Sequence, residues 1–286
     1  MEKLLLFHEE GSWKNIENMR LLELKSKGKT AMLAQERYEE ILRLLEKDKI
    51  VKVAQLCSIF NVSVETVRRD LEFLEKEGKL KRVYGGAVLE RKLSMEPSYH
   101  TRVIGNAREK QSIGKKTAEL IHDGETLIID LGTTTLEVAK HLKDKKDLTI
   151  ITNCLYIAQE LVDVPGYRVI LSGGQLRSEE QSTSGFMSEE FFRTFNVDKT
   201  IIGVGGITIE EGITDYHLEE TRVRRIMIEK GSQVIAVADH SKFGVKALVN
   251  VCPLEDIDVL VTDDKLPKSI IEKFKKQNVN VIVAED

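Results

Sequence analysis

Apolar residues in the first third of the chain recur at helical spacing in three short runs. Residues 33–47 bring Tyr38, Ile41, Leu42, Leu44 and Leu45 to one side, which predicts an amphipathic helix. Val53, Leu56 and Phe60 predict a second helix over 52–60. Asn61-Val62-Ser63 then reads as a tight turn ending in a helix N-cap, since a serine hydroxyl can accept from an otherwise unpaired amide of the next turn. In the third run, at about 100° per residue, Val64, Val67, Leu71 and Leu74 form the inward stripe, and Gly78 stops the helix. Strands near Leu80–Tyr84 and Ala87–Leu89 then flank Gly85-Gly86, a two-residue turn signal.

The pattern changes after this hairpin. Residues 91–105 are irregular and polar, with Pro97, and read as a linker. Arg108–His122 has Ile113, Ala118, Leu120 and Ile121 at helical spacing. From Asp123-Gly124 onward, apolar strand-like runs alternate with helical ones, the signature of a parallel sheet. The predicted strands are Thr126–Asp130, Thr149–Thr152, Arg168–Ser172, Lys199–Val204, Gln233–Ala238, Val259–Thr262 and Val279–Val283. Helices lie between most of them, among them Thr134–Leu142, Leu155–Leu161, Glu189–Phe195 and Glu219–Glu229. The expected architecture is an α/β domain over 106–286, with a mainly parallel sheet flanked by helices. It is preceded by a small winged helix-turn-helix unit over 32–90 and the linker 91–105.

Length and composition narrow the reading. A chain of 286 residues exceeds the usual single-domain size, and 41% hydrophobic residues suffice for two cores. The 3 cysteines, Cys57, Cys154 and Cys252, are scattered and form no CxxC pair, which argues against a disulfide frame or zinc site and for a reducing cytoplasm. No apolar run approaches the roughly 20 residues a membrane span needs. Leu4–Phe7 is too short for a signal core, and Glu9 and Glu10 follow it. Met32 stands directly before the first patterned helix as a candidate start; residues 1–31 are assigned no function.

The net charge of −4 hides a cationic cluster, Lys79, Lys81, Arg82, Arg91 and Lys92, with Glu90 alone against it. Cations gathered where phosphates lie allow a mildly acidic protein to bind DNA. On the third helix Arg69 falls almost opposite the apolar stripe, with Thr66 beside it and Arg68 on the flank. Recognition helices read bases near their N-terminus, so Arg69 is the candidate for a guanine edge, Thr66 for a base or phosphate, and Arg68 for the backbone. The alternative pairs these arginines with Glu65 or Glu72 as surface ion pairs of little worth. Lys81, Arg82 and Tyr84 would arm the wing, with Ser63 capping the reading helix.

These residues resemble the DNA-binding domain of the DeoR family of bacterial repressors. The resemblance is carried by Val-Ser-Val-Glu-Thr-Val-Arg-Arg-Asp-Leu (62–71), Leu-Glu-Lys-Glu-Gly (74–78) and Tyr-Gly-Gly-Ala (84–87), with Tyr84 where many members have histidine. It extends over about residues 33–284, and implies a sensor domain related to the superfamily that includes ribose-5-phosphate isomerase.

Strand ends in the second domain carry small, polar and glycine residues, where ligands of open α/β sheets collect. Asp130-Leu-Gly-Thr-Thr-Thr135 leads from strand to helix, with Gly132 open to a close anion and Thr133, Thr134 and Thr135 supplying hydroxyls and amides. Thr152-Asn153, Ser172-Gly173-Gly174, Gly203-Val-Gly205-Gly206 and Asp239-His-Ser241-Lys242-Phe-Gly244 occupy equivalent ends, and Lys242 adds a cation. Together they predict a pocket for an anionic small molecule. By the resemblance, Gly132 to Thr135 hold the phosphate of a phosphorylated sugar, with Asn153, Gly174, Asp215, Arg224 and Lys242 around the sugar; members commonly have lysine at Arg224.

A sugar-phosphate isomerase is the rival reading. Aldose–ketose isomerisation needs a carboxylate base and groups that stabilise an enediolate. The isomerases' Asp-Gly-Ala-Asp run falls on Ile202-Gly-Val-Gly205 and their glutamate near Arg224, with Glu219 and Glu220 one turn earlier. A cradle without those carboxylates suits binding, not turnover. His122, His141, His217 and His240 have no metal-ligand spacing, and no cofactor is called for. Phe191, Phe192 and Phe195 suit core packing or a subunit interface. The expectation is a cytoplasmic repressor of a sugar-metabolism operon that binds double-stranded operator DNA as a homodimer or homotetramer and is released by a sugar phosphate.

Overall fold

A computed structural model of the chain describes residues 33–48, 50–77, 79–88 and 96–285. Residues 1–32, with Leu4–Phe7 and Met32, the helix stop at Gly78, the strand end at Leu89, and Glu90, Arg91 and Lys92 lie outside the described residues. The chain divides into two compact units, Met1–Arg91 and Lys92–Asp286.

The first unit contains α1 (Ala34–Asp48), β1 (Ile50–Lys52), α2 (Val53–Phe60), α3 (Val64–Lys76), β2 (Lys81–Val83) and β3 (Gly86–Val88). Ile41, Leu45, Leu56, Val67, Leu71, Leu74 and Leu80 close its core. Asn61 ends α2 in the left-handed conformation at φ 52°, and Ser63 opens α3 by accepting from the Thr66 amide. Val64 is the exception on the expected stripe: it is 48% exposed, because it sits in the first turn, ahead of where α3 meets its neighbours. Asp70 is buried instead. Arg37 of α1 donates to it twice, Nε to Oδ2 at 2.7 Å and Nη2 to Oδ1 at 2.9 Å, pinning α1 to α3.

Sequence spacing also misplaces the hairpin turn. Val83 pairs with Gly86, so the turn is Tyr84-Gly85, with Gly85 at φ 80°. Gly86 belongs to the ladder, paired with Lys52 of β1, and a Cβ there would lie 2.0 Å from the Val51 carbonyl oxygen. Close packing of the central strand against β1 therefore demands the second glycine.

In the second unit the sheet is seven-stranded, in the order β15-β14-β12-β9-β4-β5-β6. Its strands are β4 (Thr126–Ile129), β5 (Thr149–Thr152), β6 (Arg168–Leu171), β9 (Val197–Gly203), β12 (Gly231–Val237), β14 (Val259–Asp263) and β15 (Asn280–Ala284). Every pairing is parallel. Alternation along β4 divides the core: Leu127 and Ile129 face one layer and Ile128 the other. Helices α5 (Ala107–Ala118), α6 (Thr133–Lys140) and α7 (Leu155–Leu161) cover the first face. The second is covered by α8 (Phe186–Arg193), α9 (Leu218–Lys230) and α10 (Lys268–Lys275), with Phe192 fully buried in the core.

Two features depart from expectation. Residues 96–105, within the predicted linker, are folded: α4 (Tyr99–Ile104) is capped by Ser98 and stacks Tyr99 on Tyr156 at 5.0 Å. Short antiparallel strands also surround the main sheet: the pair β7 (Gln175–Arg177) and β8 (Ser182–Ser184), and the sheet β10 (Gly206–Thr208), β11 (Gly212–Asp215) and β13 (Val249–Cys252).

The Arg37–Asp70 pair yields a stability prediction. Removing one partner of a buried ion pair exposes the other's desolvation cost, so Asp70→Ala should destabilise the first unit by about 3 kcal/mol. Chemical denaturation followed in that unit should show a lower midpoint; an unchanged midpoint would remove the pair as its clamp.

Candidate functional site

The first unit gathers its accessible cations on α3 and the β2–β3 hairpin. Arg68 and Arg69 are exposed on α3, and Arg69 Nε lies 3.6 Å from Glu65 Oε1, with both side chains largely in solvent. Such a pair is weak and yields readily to a phosphate or a base edge. Thr66 is tied to Ser63, hydroxyl to hydroxyl at 2.9 Å and amide to hydroxyl at 3.2 Å, which fixes the start of the helix. Lys81 and Tyr84 stand free at the wing, Tyr84 fully exposed. Arg82 is more constrained: its amide donates to Glu75 Oε1 at 2.8 Å and its Nε to Oε2 at 2.6 Å. That clamp fixes the wing against α3 and leaves Arg82 fewer donors for a partner. Phe73, 45% exposed, stacks on Tyr38 with ring centroids 4.7 Å apart.

In the second unit a cleft opens where the strand order reverses. The chain runs from β4 outward through β5 and β6, then returns to β9 beside β4 and continues to the other edge. The crevice beyond the carboxyl ends of β4 and β9 is where open α/β sheets bind ligands. Lining it are Gly132, Thr133 and Thr134 after β4, Gly203 to Gly205 after β9, Asp215 of β11, Glu220 and Arg224 of α9, and Lys242. Gly132 caps α6 at φ 146° and ψ 160°, and Leu136 is the first amide of α6 to donate back to it. The preceding amides of α6 therefore point out of the helix end toward the cleft, a polarity that favours an anion. Gly205 has no room for a side chain, since a Cβ would sit 2.9 Å from the Thr214 carbonyl oxygen.

Arg224 lines the cleft with most of its guanidinium already engaged. It is buried between two carboxylates, its Nε donating to Asp130 Oδ2 at 2.5 Å and its Nη1 to Asp215 Oδ2. The guanidinium thus joins β4, β11 and α9 from beneath the cleft, with both named nitrogens committed. Lys242 is the contrasting cation. Burial pulls its ammonium below the usual lysine range against the pull of Asp239, and among the described residues no hydrogen bond or ion pair reaches its Nζ.

The chain matches the DeoR C terminal sensor domain over residues 105–264 and the DeoR-like helix-turn-helix domain over residues 37–92. The chain belongs to the DeoR family. Curated relatives agree along nearly their whole lengths. The HTH-type transcriptional regulator GolR of Listeria innocua serovar 6a is 35% identical over 250 residues, 87% of this chain and 98% of its own. The HTH-type transcriptional repressor GlcR of Bacillus subtilis is 38% identical over 254 residues, 89% of this chain and 98% of its own. The glycerol-3-phosphate regulon repressor of Escherichia coli is 34% identical over 246 residues, 86% of this chain and 97% of its own. Likeness to solved structures is weak: a ribose 5-phosphate isomerase from Methanocaldococcus jannaschii covers 50% of this chain and 56% of its own at 13% identity and a TM-score of 0.37. This DeoR-family protein is a DNA-binding transcriptional regulator.

Of the sequence-predicted cleft residues, Gly132, Thr133, Thr134, Gly205, Asp215, Arg224 and Lys242 line one cavity. The others do not line it. Asp130 is fully buried beneath Arg224, and the Thr135 hydroxyl turns back to the Gly132 carbonyl at 3.0 Å. Asn153 is buried against the Thr183 carbonyl at 3.3 Å, bracing β8. Gly173 and Gly174 serve packing instead: Ser188 donates to the Gly173 carbonyl, and a Cβ on Gly174 would meet Ser188 Oγ at 2.5 Å. Asp239 accepts from the Ser241 amide at 2.9 Å and so shapes the turn that carries Lys242. His240 is held by Asp263, Nδ1 to Oδ1 at 2.9 Å.

Sequence reasoning missed Glu96, Arg102 and Tyr216 as lining residues of this family member. Glu96 and Arg102 fell in the supposed linker, where Ser98 and Thr101 at capping spacing were the available signal. Glu220, left open between roles, lines the cleft and is buried, accepting from Arg177 Nη1 at 2.9 Å and from Ser182 at 2.9 Å. Glu219 is on the outer side, paired with Arg222.

Burial pushes the Glu220 carboxyl up to about 7 from its ordinary 4.5, against the pull of Arg177 and Ser182. The folded state then holds a proton that the unfolded chain has released between those two values, so stability falls as pH rises from 4.5 to 7. Glu220→Gln should remove that part of the dependence. Denaturation midpoints of wild type and variant compared across this window check it; parallel curves would show that Glu220 does not titrate there.

Proposed function

We propose that this DeoR-family regulator represses an operon of sugar metabolism and leaves its operator when a phosphorylated sugar fills the cleft. The observation that carries the reading is the Lys242 ammonium, half-buried and without a hydrogen bond or ion pair among the described residues, in a cavity shared with the amide end of α6. A phosphate offers what both lack: acceptor oxygens for the amides and negative charge for the ammonium. Glu220 and Asp215, which line the same cavity, then supply acceptors for sugar hydroxyls. The names of relatives point the same way, one being the repressor of a glycerol-3-phosphate regulon and another the putative aga operon transcriptional repressor of Escherichia coli.

On the DNA side Arg69 reads a base edge, with Arg68 and Lys81 on flanking phosphates and Tyr84 at the wing tip. Ser63 and Thr66 fix the entry of the helix, and Arg82 holds the wing while offering its remaining donors to the backbone. One recognition helix covers a short site, so useful specificity calls for a homodimer or homotetramer on repeated half-sites. Release follows if the sugar phosphate binds the DNA-free state more tightly than the DNA-bound one.

Arg69→Ala should weaken operator binding by about 1–3 kcal/mol and relax discrimination at one position, whereas Lys81→Ala should lower the salt slope by about 1 and leave sequence preference intact. Fluorescence anisotropy on an operator selected from random DNA separates the two; equal losses on specific and random duplexes for Arg69→Ala would remove it as the reader. A thermal-shift screen of sugar phosphates should raise the melting temperature of wild type, and Lys242→Ala should lose about 2 kcal/mol of that binding. An undiminished shift in the variant would displace Lys242 from the site.

A further inference from the structure

We infer that Arg102 is a ligand of the anion held in the cleft and Glu96 its competitor, so that filling the cleft is registered by the strap, residues 96–104, that carries both. The inference rests on the reading of the cleft as a phosphate site.

Two guanidinium groups line the cavity, and they are held differently. Arg224 has its Nε on Asp130 and its Nη1 on Asp215, and its side chain is 3% exposed. Arg102 keeps 14% of its side chain exposed. Its Nε donates to the Pro97 carbonyl at 3.2 Å, while its Nη2 lies in ion-pair range of Glu96, at 3.2 Å, and of Glu180 without a hydrogen bond to either. Among the described residues no hydrogen bond reaches Nη1. A phosphate dianion beside Lys242 alone is only half neutralised, and Arg102, a cavity-lining guanidinium with Nη1 uncommitted, completes the match.

Glu96 lines the same cavity, with its other oxygen on Arg177 Nη2 at 2.8 Å. A second anion arriving next to it draws Arg102 inward and repels the Glu96 carboxylate. Both residues sit on one short segment, so attraction at one end and repulsion at the other act on it together.

That segment is fastened to the rest of the site. Lys110 donates to the Arg102 carbonyl and, at 2.5 Å, to the Gly105 carbonyl, securing the C-terminal end of α4. Next along the chain, Asn106 donates to Asp239 Oδ1 at 2.8 Å, and the same oxygen accepts from the Ser241 amide in the turn that carries Lys242. The strap and the Lys242 turn therefore share a hydrogen-bonded oxygen. In sequence, the strap is the first described stretch after the DNA-binding unit.

The test uses the full chain and inorganic phosphate as probe, with chloride to hold ionic strength constant, read by hydrogen–deuterium exchange. In wild type, phosphate should slow exchange in peptides covering 132–136 and in those covering 99–105. Arg102→Gln should raise the half-saturating phosphate concentration by at least about tenfold, from the loss of a charge-assisted bond. Glu96→Gln should lower it by about threefold, because a competing charge is gone while an acceptor for Arg177 remains. A purely structural role for the strap would weaken phosphate binding in both variants, and that outcome, or a wild-type affinity in Arg102→Gln, overturns the inference while leaving the cleft reading intact. Absence of protection over 132–136 in wild type defeats the cleft reading and this inference with it. Should Arg102→Gln fail to fold, the direction of the Glu96→Gln shift and the wild-type protection of 99–105 still decide.

Discussion

A guanidinium sealed between two aspartates sets the form of the sensor cleft. Arg224 reaches from α9 to Asp130 at the end of β4 and to Asp215 at the end of β11, so three elements distant in sequence meet at one buried charge. Neither aspartate could stay ionised in that interior without it, and the arginine would be equally costly alone. Burial still pushes the Asp130 carboxyl up against the pull of Arg224, and the cavity also receives the carboxyl groups of Glu96 and Glu220. An anionic ligand is therefore not drawn in by a general positive field. It must be met by specific donors.

The candidate donors come from two segments. Gly132 ends β4 in a conformation that turns the first amides of α6 toward the cavity, and Lys242 enters from the turn after β12. Carboxyl groups line the same cavity. A ligand of the proposed kind, with phosphate at one end and hydroxyls at the other, would be selected by orientation. In the DNA-binding unit the same economy appears with other residues. The buried Arg37–Asp70 pair and the Glu75–Arg82 clamp fix helix and wing, while Arg68, Arg69 and Lys81 keep their charges at the surface.

Much of this was legible in the sequence, for physical reasons that also explain the failures. Central strands buried on both faces read as unbroken apolar runs, and all seven strands of the parallel sheet fall within two or so residues of their expected places, including the more exposed edge strand β6. The serine cap and apolar stripe of α3 are local patterns of the same kind. Strands β7, β8, β10, β11 and β13 are three or four residues long and owe their pairing to tertiary contacts, which no short window records. The strap was hidden by Pro97 and by a helix of 6 residues with no buried position of its own. Glycine signals were ambiguous in both directions: Gly86 belongs to a ladder, and Gly173 and Gly174 to helix packing. The commitment of Arg224 was invisible because its partners lie 94 and 9 residues away in sequence and only the fold brings both to it.

The central claim is that occupancy of one unit's cleft governs the DNA affinity of the other. The direct measurement is the dissociation constant of the full chain for a selected operator, with and without the sugar phosphate that gives the largest thermal shift, in wild type and in Lys242→Ala. The account requires that saturating ligand weaken operator binding of wild type by at least about tenfold, within the usual range of allosteric coupling, and that the variant respond only at much higher ligand concentration. An operator affinity indifferent to a ligand that demonstrably occupies the cleft would contradict it.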